Sequence, residues 1–181
     1  MTIRRWPLLV AILVIGIGWG GLANGQGTIT LGDGVKARLM ALEALRGAKV
    51  DAGFLAGRLV LVTFFASWCP PCRTEMRGLA RYIEANGADK IHIVAVNWIE
   101  GLAGRSPARL RSFLRDIHPS IKVVIGTKDV VRDFGGVLSI PAAYIFDKSG
   151  QEVFRVGGDR GGHGRHYLKR RQLEQVMKKI G

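Results

Sequence analysis

The chain has 181 residues, 48% of them apolar, with 27 Lys and Arg against 14 Asp and Glu and a formal net charge of +13. That is one domain's length with a tail or anchor to spare, and it carries enough apolar side chains to build a core, which argues against disorder. Two cysteines are too few for a disulfide scaffold or a four-cysteine metal site, the 25 glycines follow no G-X-Y period, and no solenoid-type repeat is present.

Arg4 and Arg5 precede an uncharged run from Trp6 to Ala23, WPLLVAILVIGIGWGGLA. The run is just long enough to cross a bilayer as a helix. The positive end is expected to stay cytoplasmic, so the rest of the chain would be exported. An uncleaved anchor with Trp6 and Trp19 near the two interfaces is the favoured reading. A cleaved signal peptide, with Gly21 and Ala23 at the cut, competes with it. A buried helix of a soluble protein fits less well, because the run has no polar face. Residues 24–34, NGQGTITLGDG, read as a Gly-rich linker, which leaves residues 35–181 as the folded domain. Removing residues 1–23 deletes Arg4 and Arg5 and no acid, lowering the charge only from +13 to +11.

Ala37–Arg46 is Leu-rich and predicts a short helix stopped by Gly47. Leu59–Ala66, LVLVTFFA, is apolar on both faces and predicts a central strand. The segment Ser67-Trp68-Cys69-Pro70-Pro71-Cys72 follows at once. From Cys72 to Glu84 the pattern predicts a helix, with Met76, Leu79, Ala80 and Ile83 inward. Ile91–Val96 predicts a second buried strand. Pro107–Ile117 predicts a helix with Leu110, Phe113, Leu114 and Ile117 inward and arginines outward. Ile121–Ile125 predicts a short strand and Asp129–Phe134 a weak helix. Ala142–Asp147 and Glu152–Val156 predict a hairpin around Lys148-Ser149-Gly150. His166–Ile180 predicts a basic helix. The order implies an α/β fold: a central mixed sheet with helices on both faces, preceded by one N-terminal hydrophobic helix.

Cys69 and Cys72 carry the candidate chemistry. With Cys69 at the N-cap, Pro70 stands at the first helical position, where no N–H is missed, and Cys72 lies one turn up on the same side. Free N–H groups and the positive helix end favour a thiolate at Cys69, which makes it a nucleophile and a leaving group. Trp68 supplies an apolar rim, and Pro70 and Pro71 stiffen the loop. Three other readings are weaker. Inert core cysteines would make the helix start a coincidence. A zinc site with His163 and His166 would reach across about 90 residues. A purely structural bridge seldom encloses two residues.

These residues resemble the thioredoxin superfamily, and in particular the exported TlpA/ResA-like thiol-disulfide oxidoreductases. The matching stretches are LAGRLVLVTFFASWCPPCRTE, IHIVAVN and GVLSIPAAYIFD. The resemblance implies a thioredoxin-like fold and a redox-active Cys69–Cys72 disulfide that needs neither cofactor nor metal. It implies that Pro141 is a cis-proline facing the cysteines, with the Ile140 backbone pairing with an extended substrate. It implies that Glu75, of C-x-x-C-x-x-E, is an active-site acid for Cys72. Cytoplasmic thioredoxins carry a buried aspartate where this chain has Thr63, which leaves Glu75 as the proton handler; Glu100 is a weaker candidate. Arg77 replaces a helix proline of the family, implying a straighter helix. Ala142 and Ala143 replace Thr or Ser, implying a less polar groove floor. Gly101–Ser106 reads as a small loop insertion.

The resemblance further implies reduction of protein disulfides outside the cytoplasm, for example in cytochrome c maturation. A client protein with a disulfide or thiol pair would be the substrate, and a membrane electron donor of the DsbD/CcdA type would recharge the dithiol. An exported oxidase with the same residues and a non-catalytic adaptor remain as alternatives. Residues 155–181 hold eight basic and two acidic residues, which read first as a solvated face and next as attraction to an anionic membrane surface. Nucleic acid is not expected, since no aromatic residues alternate with the charges. His163 and His166 lie in a Gly-rich loop.

Overall fold

The computed structural model describes residues 27–104, 106–158 and 167–180. The expected hydrophobic helix over residues 1–23 and the His163 and His166 loop lie outside them. Among the described residues, no helix is long and apolar enough to cross a membrane.

The elements in chain order are α1 (Asp33–Ala41), β1 (Ala44–Arg46), α2 (Ala52–Leu55), β2 (Val60–Phe65), α3 (Pro70–Asn86), β3 (His92–Asn97), a 3-10 turn (Glu100–Ala103), α4 (Pro107–Arg115), β4 (Lys122–Ile125), α5 (Lys128–Asp133), β5 (Ala142–Phe146), β6 (Glu152–Gly157) and α6 (Arg170–Ile180). The strands form one mixed sheet in the order β1-β4-β3-β2-β5-β6. β2 runs parallel to β3, and β3 to β4, while β5 is antiparallel to β2 and to β6.

Side chains alternate across each strand, so one sheet feeds two cores. Leu61, Phe65, Ile93, Ala95, Val123, Ala143 and Ile145 face α3, α4 and α6, burying Met76, Leu79, Phe113 and Leu173. Val60, Val62, Phe64, Val94, Val96, Val124 and Tyr144 face the other way, against Leu39, Leu55, Val130 and Val131 from α1, α2 and α5. This is the α/β sandwich expected, and the doubly apolar run of β2 is explained by burial on both sides.

Two expectations are corrected. The segment 24–34 is not a free linker throughout. Ile29 and Leu31 are buried, Thr30 bridges Gln151 beside β6, and Asp33 and Gly34 already belong to α1. The helix expected over Ala37–Arg46 ends at Ala41, and Ala44–Arg46 is an edge strand antiparallel to β4. Leu42 belongs to the core on one face of the sheet, while Leu45 packs against the core on the other. Serving both faces requires the chain to pass the sheet edge, which a strand does and a helix does not.

The final helix begins at Arg170, four residues later than expected, with Tyr167, Leu168 and Lys169 outside it. α2 was not anticipated. α3 runs unbroken through Arg77, in line with the missing helix proline.

Arg46 closes the α4 end of the sheet. Its guanidinium donates to the carbonyls of Leu114 at 2.9 Å, Ile117 at 2.7 Å and His118 at 2.8 Å, in and just past the last turn of α4, where the Leu114 and His118 carbonyls also accept the Ile117 and Ile121 amides. Arg46→Met removes these charge-assisted bonds, leaving Leu114 and His118 with their backbone donors alone, and is expected to cost about 2 kcal/mol in urea unfolding; an unchanged midpoint would show that water replaces the guanidinium without loss.

Candidate active site

β2 ends at Phe65, and the chain turns through Ala66, Ser67 and Trp68 into α3. Cys69 is the N-cap of α3, with extended backbone, and Pro70 takes the first helical position. The helix start leaves N–H groups without intrahelical partners. One of them, the Cys72 amide, donates to Cys69 Sγ at 3.2 Å. The two sulfurs are bonded as a disulfide, with the Cα atoms 5.3 Å apart. Cys69 is 3% exposed and Cys72 fully buried, so only Cys69 offers any surface to an incoming thiol. The disulfide is well covered, because Trp68 and Ile140 pack against the same core as the cysteines.

The loop is fastened from β3. Glu100 accepts from the Ser67 amide at 2.8 Å, from the Ser67 hydroxyl and from Asn97 Nδ2 at 2.8 Å. The Trp68 indole N–H donates to the Ile99 carbonyl at 3.2 Å. Ile99 itself has φ of 52°, an uncommon conformation for a branched residue. Glu100, expected as a weaker acid candidate, thus holds the loop two residues before Cys69. Its spacing after Asn97 gave a hint of nearness but not of this task.

The Ile140–Pro141 bond is cis. Ala142 pairs with Phe64 near the end of β2, which brings Pro141 to the end of the strands from which the cysteine loop begins. Gly157 of β6 lies against it. A Cβ there would come within 2.2 Å of the Pro141 carbonyl oxygen, so this position tolerates no side chain. No local signal in the sequence marks Gly157 as part of the proline turn.

Glu75 follows Cys72 by one helical turn and points into the core, 1% exposed. Thr63 donates to Oε1 at 2.5 Å and the Leu168 amide to Oε2 at 2.8 Å. Burial pushes the Glu75 carboxyl up to about 7 from an ordinary 4.5, against the downward pull of those two hydrogen bonds. An acid of that strength can take and return a proton near neutrality. Thr63, expected as an uncharged stand-in for an aspartate, is its direct partner. Leu168, 93 residues away in sequence, could not have been placed there from the pattern.

The family model described as AhpC/TSA matches residues 34–152. The chain belongs to the AhpC/TSA family. It is 30% identical to the thioredoxin-like protein YneN of Bacillus subtilis over 151 residues, covering 82% of this chain and 86% of that protein. It is 27% identical to the thiol-disulfide oxidoreductase ResA of the same organism, covering 87% of this chain and 85% of ResA. The fold is similar to the crystal structure of StoA from Bacillus subtilis, with a TM-score of 0.57 at 17% identity over 75% of this chain and 92% of StoA. The fold is therefore thioredoxin-like, as the sequence resemblance implied. In this AhpC/TSA chain the disulfide, the cis-proline turn and the buried glutamate are all assembled around the carboxyl end of β2.

The raised Glu75 value fixes a sign. Between about pH 4.5 and about pH 7 the folded protein keeps a proton that the unfolded chain releases, so stability falls as pH rises through that window. For the oxidised protein this is expected to reach about 3 kcal/mol. Glu75→Gln should remove that slope in urea unfolding, and an unchanged slope would mean that another group carries it.

Proposed function

We propose that this thiol-disulfide oxidoreductase reduces protein disulfides outside the cytoplasm, tethered or released by residues 1–23. The observation that carries the reading is the Cys72 amide on Cys69 Sγ at the start of α3. A donor aimed at that sulfur stabilises the thiolate when the pair is reduced. The uncharged Trp6–Ala23 run behind Arg4 and Arg5 supports export.

In the forward half-reaction the Cys69 thiolate attacks one sulfur of the client disulfide. The client S–S bond breaks, and its other sulfur leaves as a thiolate that takes a proton from water. The mixed disulfide lies against Ile140 and Pro141, whose turn presents backbone to an extended chain. Cys72 passes its proton to Glu75, and its thiolate attacks Cys69 Sγ. The second client sulfur leaves and is protonated from Glu75. Two electrons have moved to the client, and the Cys69–Cys72 disulfide remains.

A membrane dithiol donor of the DsbD/CcdA type would return two electrons. Haem-binding cysteines of an apocytochrome c are a suitable client class, since they must be reduced before use. Trp68, Pro70 and Pro71 would rim the docking groove. The basic residues of the C-terminal part would favour an anionic membrane surface.

Cys72→Ser leaves the attacking sulfur and removes the resolving one. Tagged C72S protein recovered from cells is expected to carry client proteins on Cys69, released by a reductant, while the purified native protein reduces insulin disulfides. C72S without adducts would contradict the scheme.

A further inference from the structure

Glu75 sits in a site that the sheet is shaped to hold. Thr63, fully buried on β2, pairs with Ala95 on β3 and with Ala143 on β5. Directly paired residues share a face of the sheet, so a row Ala95–Thr63–Ala143 lies beneath α3. All three face the core that contains Cys72 and Leu168. Two methyl groups flanking one hydroxyl leave room for a carboxyl group where larger side chains would fill the space. The alanine at 143 is thus part of the glutamate's surroundings as well as of the strand after the proline turn.

The donors match the ionised form. A carboxylate only accepts, and here each oxygen receives one donor: the Thr63 hydroxyl on Oε1 and the Leu168 amide on Oε2. Were the acid proton on Oε1, it would donate to the Thr63 oxygen, and the Thr63 hydroxyl would have to turn its own proton away from the carboxyl. The sheet brings no titratable group to the site from β2, β3 or β5, where the row is Ala95, Thr63 and Ala143. The C-terminal approach brings the Leu168 amide, with Lys169 turned to solvent. On α3 itself the titratable neighbour one turn away is Cys72. Burial raises the Glu75 carboxyl and the two hydrogen bonds lower it, with no charged side chain of the described residues among the causes.

We propose that Thr63 is a positioning residue for the exchange reaction: its hydroxyl, with the Leu168 amide, orients the Glu75 carboxylate and favours its ionised form for taking the Cys72 proton. This rests on the reading of Glu75 as the base for Cys72. It gives the uncharged residue at this strand position a task of its own.

The test is the pH profile of disulfide formation in the reduced protein, measured in a single turnover with an oxidised peptide. Thr63→Val keeps the shape and removes the donor. Its rate midpoint is expected to move up by about one pH unit, with the rate below the midpoint falling about tenfold. Thr63→Ser restores the donor and should follow the native profile. Thr63→Ala is a second donor-free variant should the valine fail to pack.

Donor-free variants whose profiles superimpose on the native one, or that slow equally at every pH, would overturn the proposal. So would a serine variant that behaves like valine. Glu75→Gln separates the two levels. If it leaves the native profile unchanged, the reading of Glu75 fails and the Thr63 proposal with it. If it alters the profile while the Thr63 variants do not, only the Thr63 proposal fails.

Discussion

A strand buried on both faces ends at Phe65, and within four residues the chain must begin a helix. The first N–H groups of that helix need acceptors, and the sequence puts a sulfur where an N-cap oxygen commonly stands. Pro70 and Pro71 both lack an N–H, so the first donor of the helix is the Cys72 amide, and it meets Cys69 Sγ. This single contact ties the backbone to the chemistry. In the reduced protein the same amide faces a thiol whose ionised form it favours. The surrounding bonds preserve the junction: Glu100 holds Ser67, and Ile99 holds Trp68. Both come from the end of β3, the parallel neighbour of β2, so sheet register and loop geometry are one problem.

The second half of the site is a balance between solvation and hydrogen bonding. Removing a carboxylate from water favours its neutral form, and two well-aimed donors favour the charged one. Neither wins outright at Glu75, and the result is an acid near neutrality. The donors come from β2 and from the approach to α6, so the glutamate also joins the central strand, the active-site helix and the C-terminal segment. Leu168 and Leu173 are buried in the same core, which sets the Leu168 amide in place.

Much of this was legible in the residues. LVLVTFFA has no polar face, so it had to be a strand covered twice. WCPPC placed a helix start at the dithiol because Pro70 suits only the first turn. Ile140–Pro141 stood out by resemblance, and its cis bond agrees. What escaped has a common cause. Ala44–Arg46 is a strand only because β4 offers it an edge, and nothing local distinguishes Leu42 and Leu45 from a helical stripe. Ile29 and Leu31 looked like spacers among glycines, but β6 and the second core give them a place. The Leu168 amide and Gly157 are defined by chain segments far away in sequence, so their tasks exist only once the sheet has closed.

The account stands on Cys69 being ionised by its position at the head of α3. The direct measurement is the rate of alkylation of Cys69 in the reduced protein as a function of pH, with Cys72 replaced by serine to leave one thiol. The account predicts a midpoint well below about 8.5, the value of an unperturbed cysteine. A midpoint at or above about 8.5 would show that the helix start does nothing for the sulfur, and the account would be wrong.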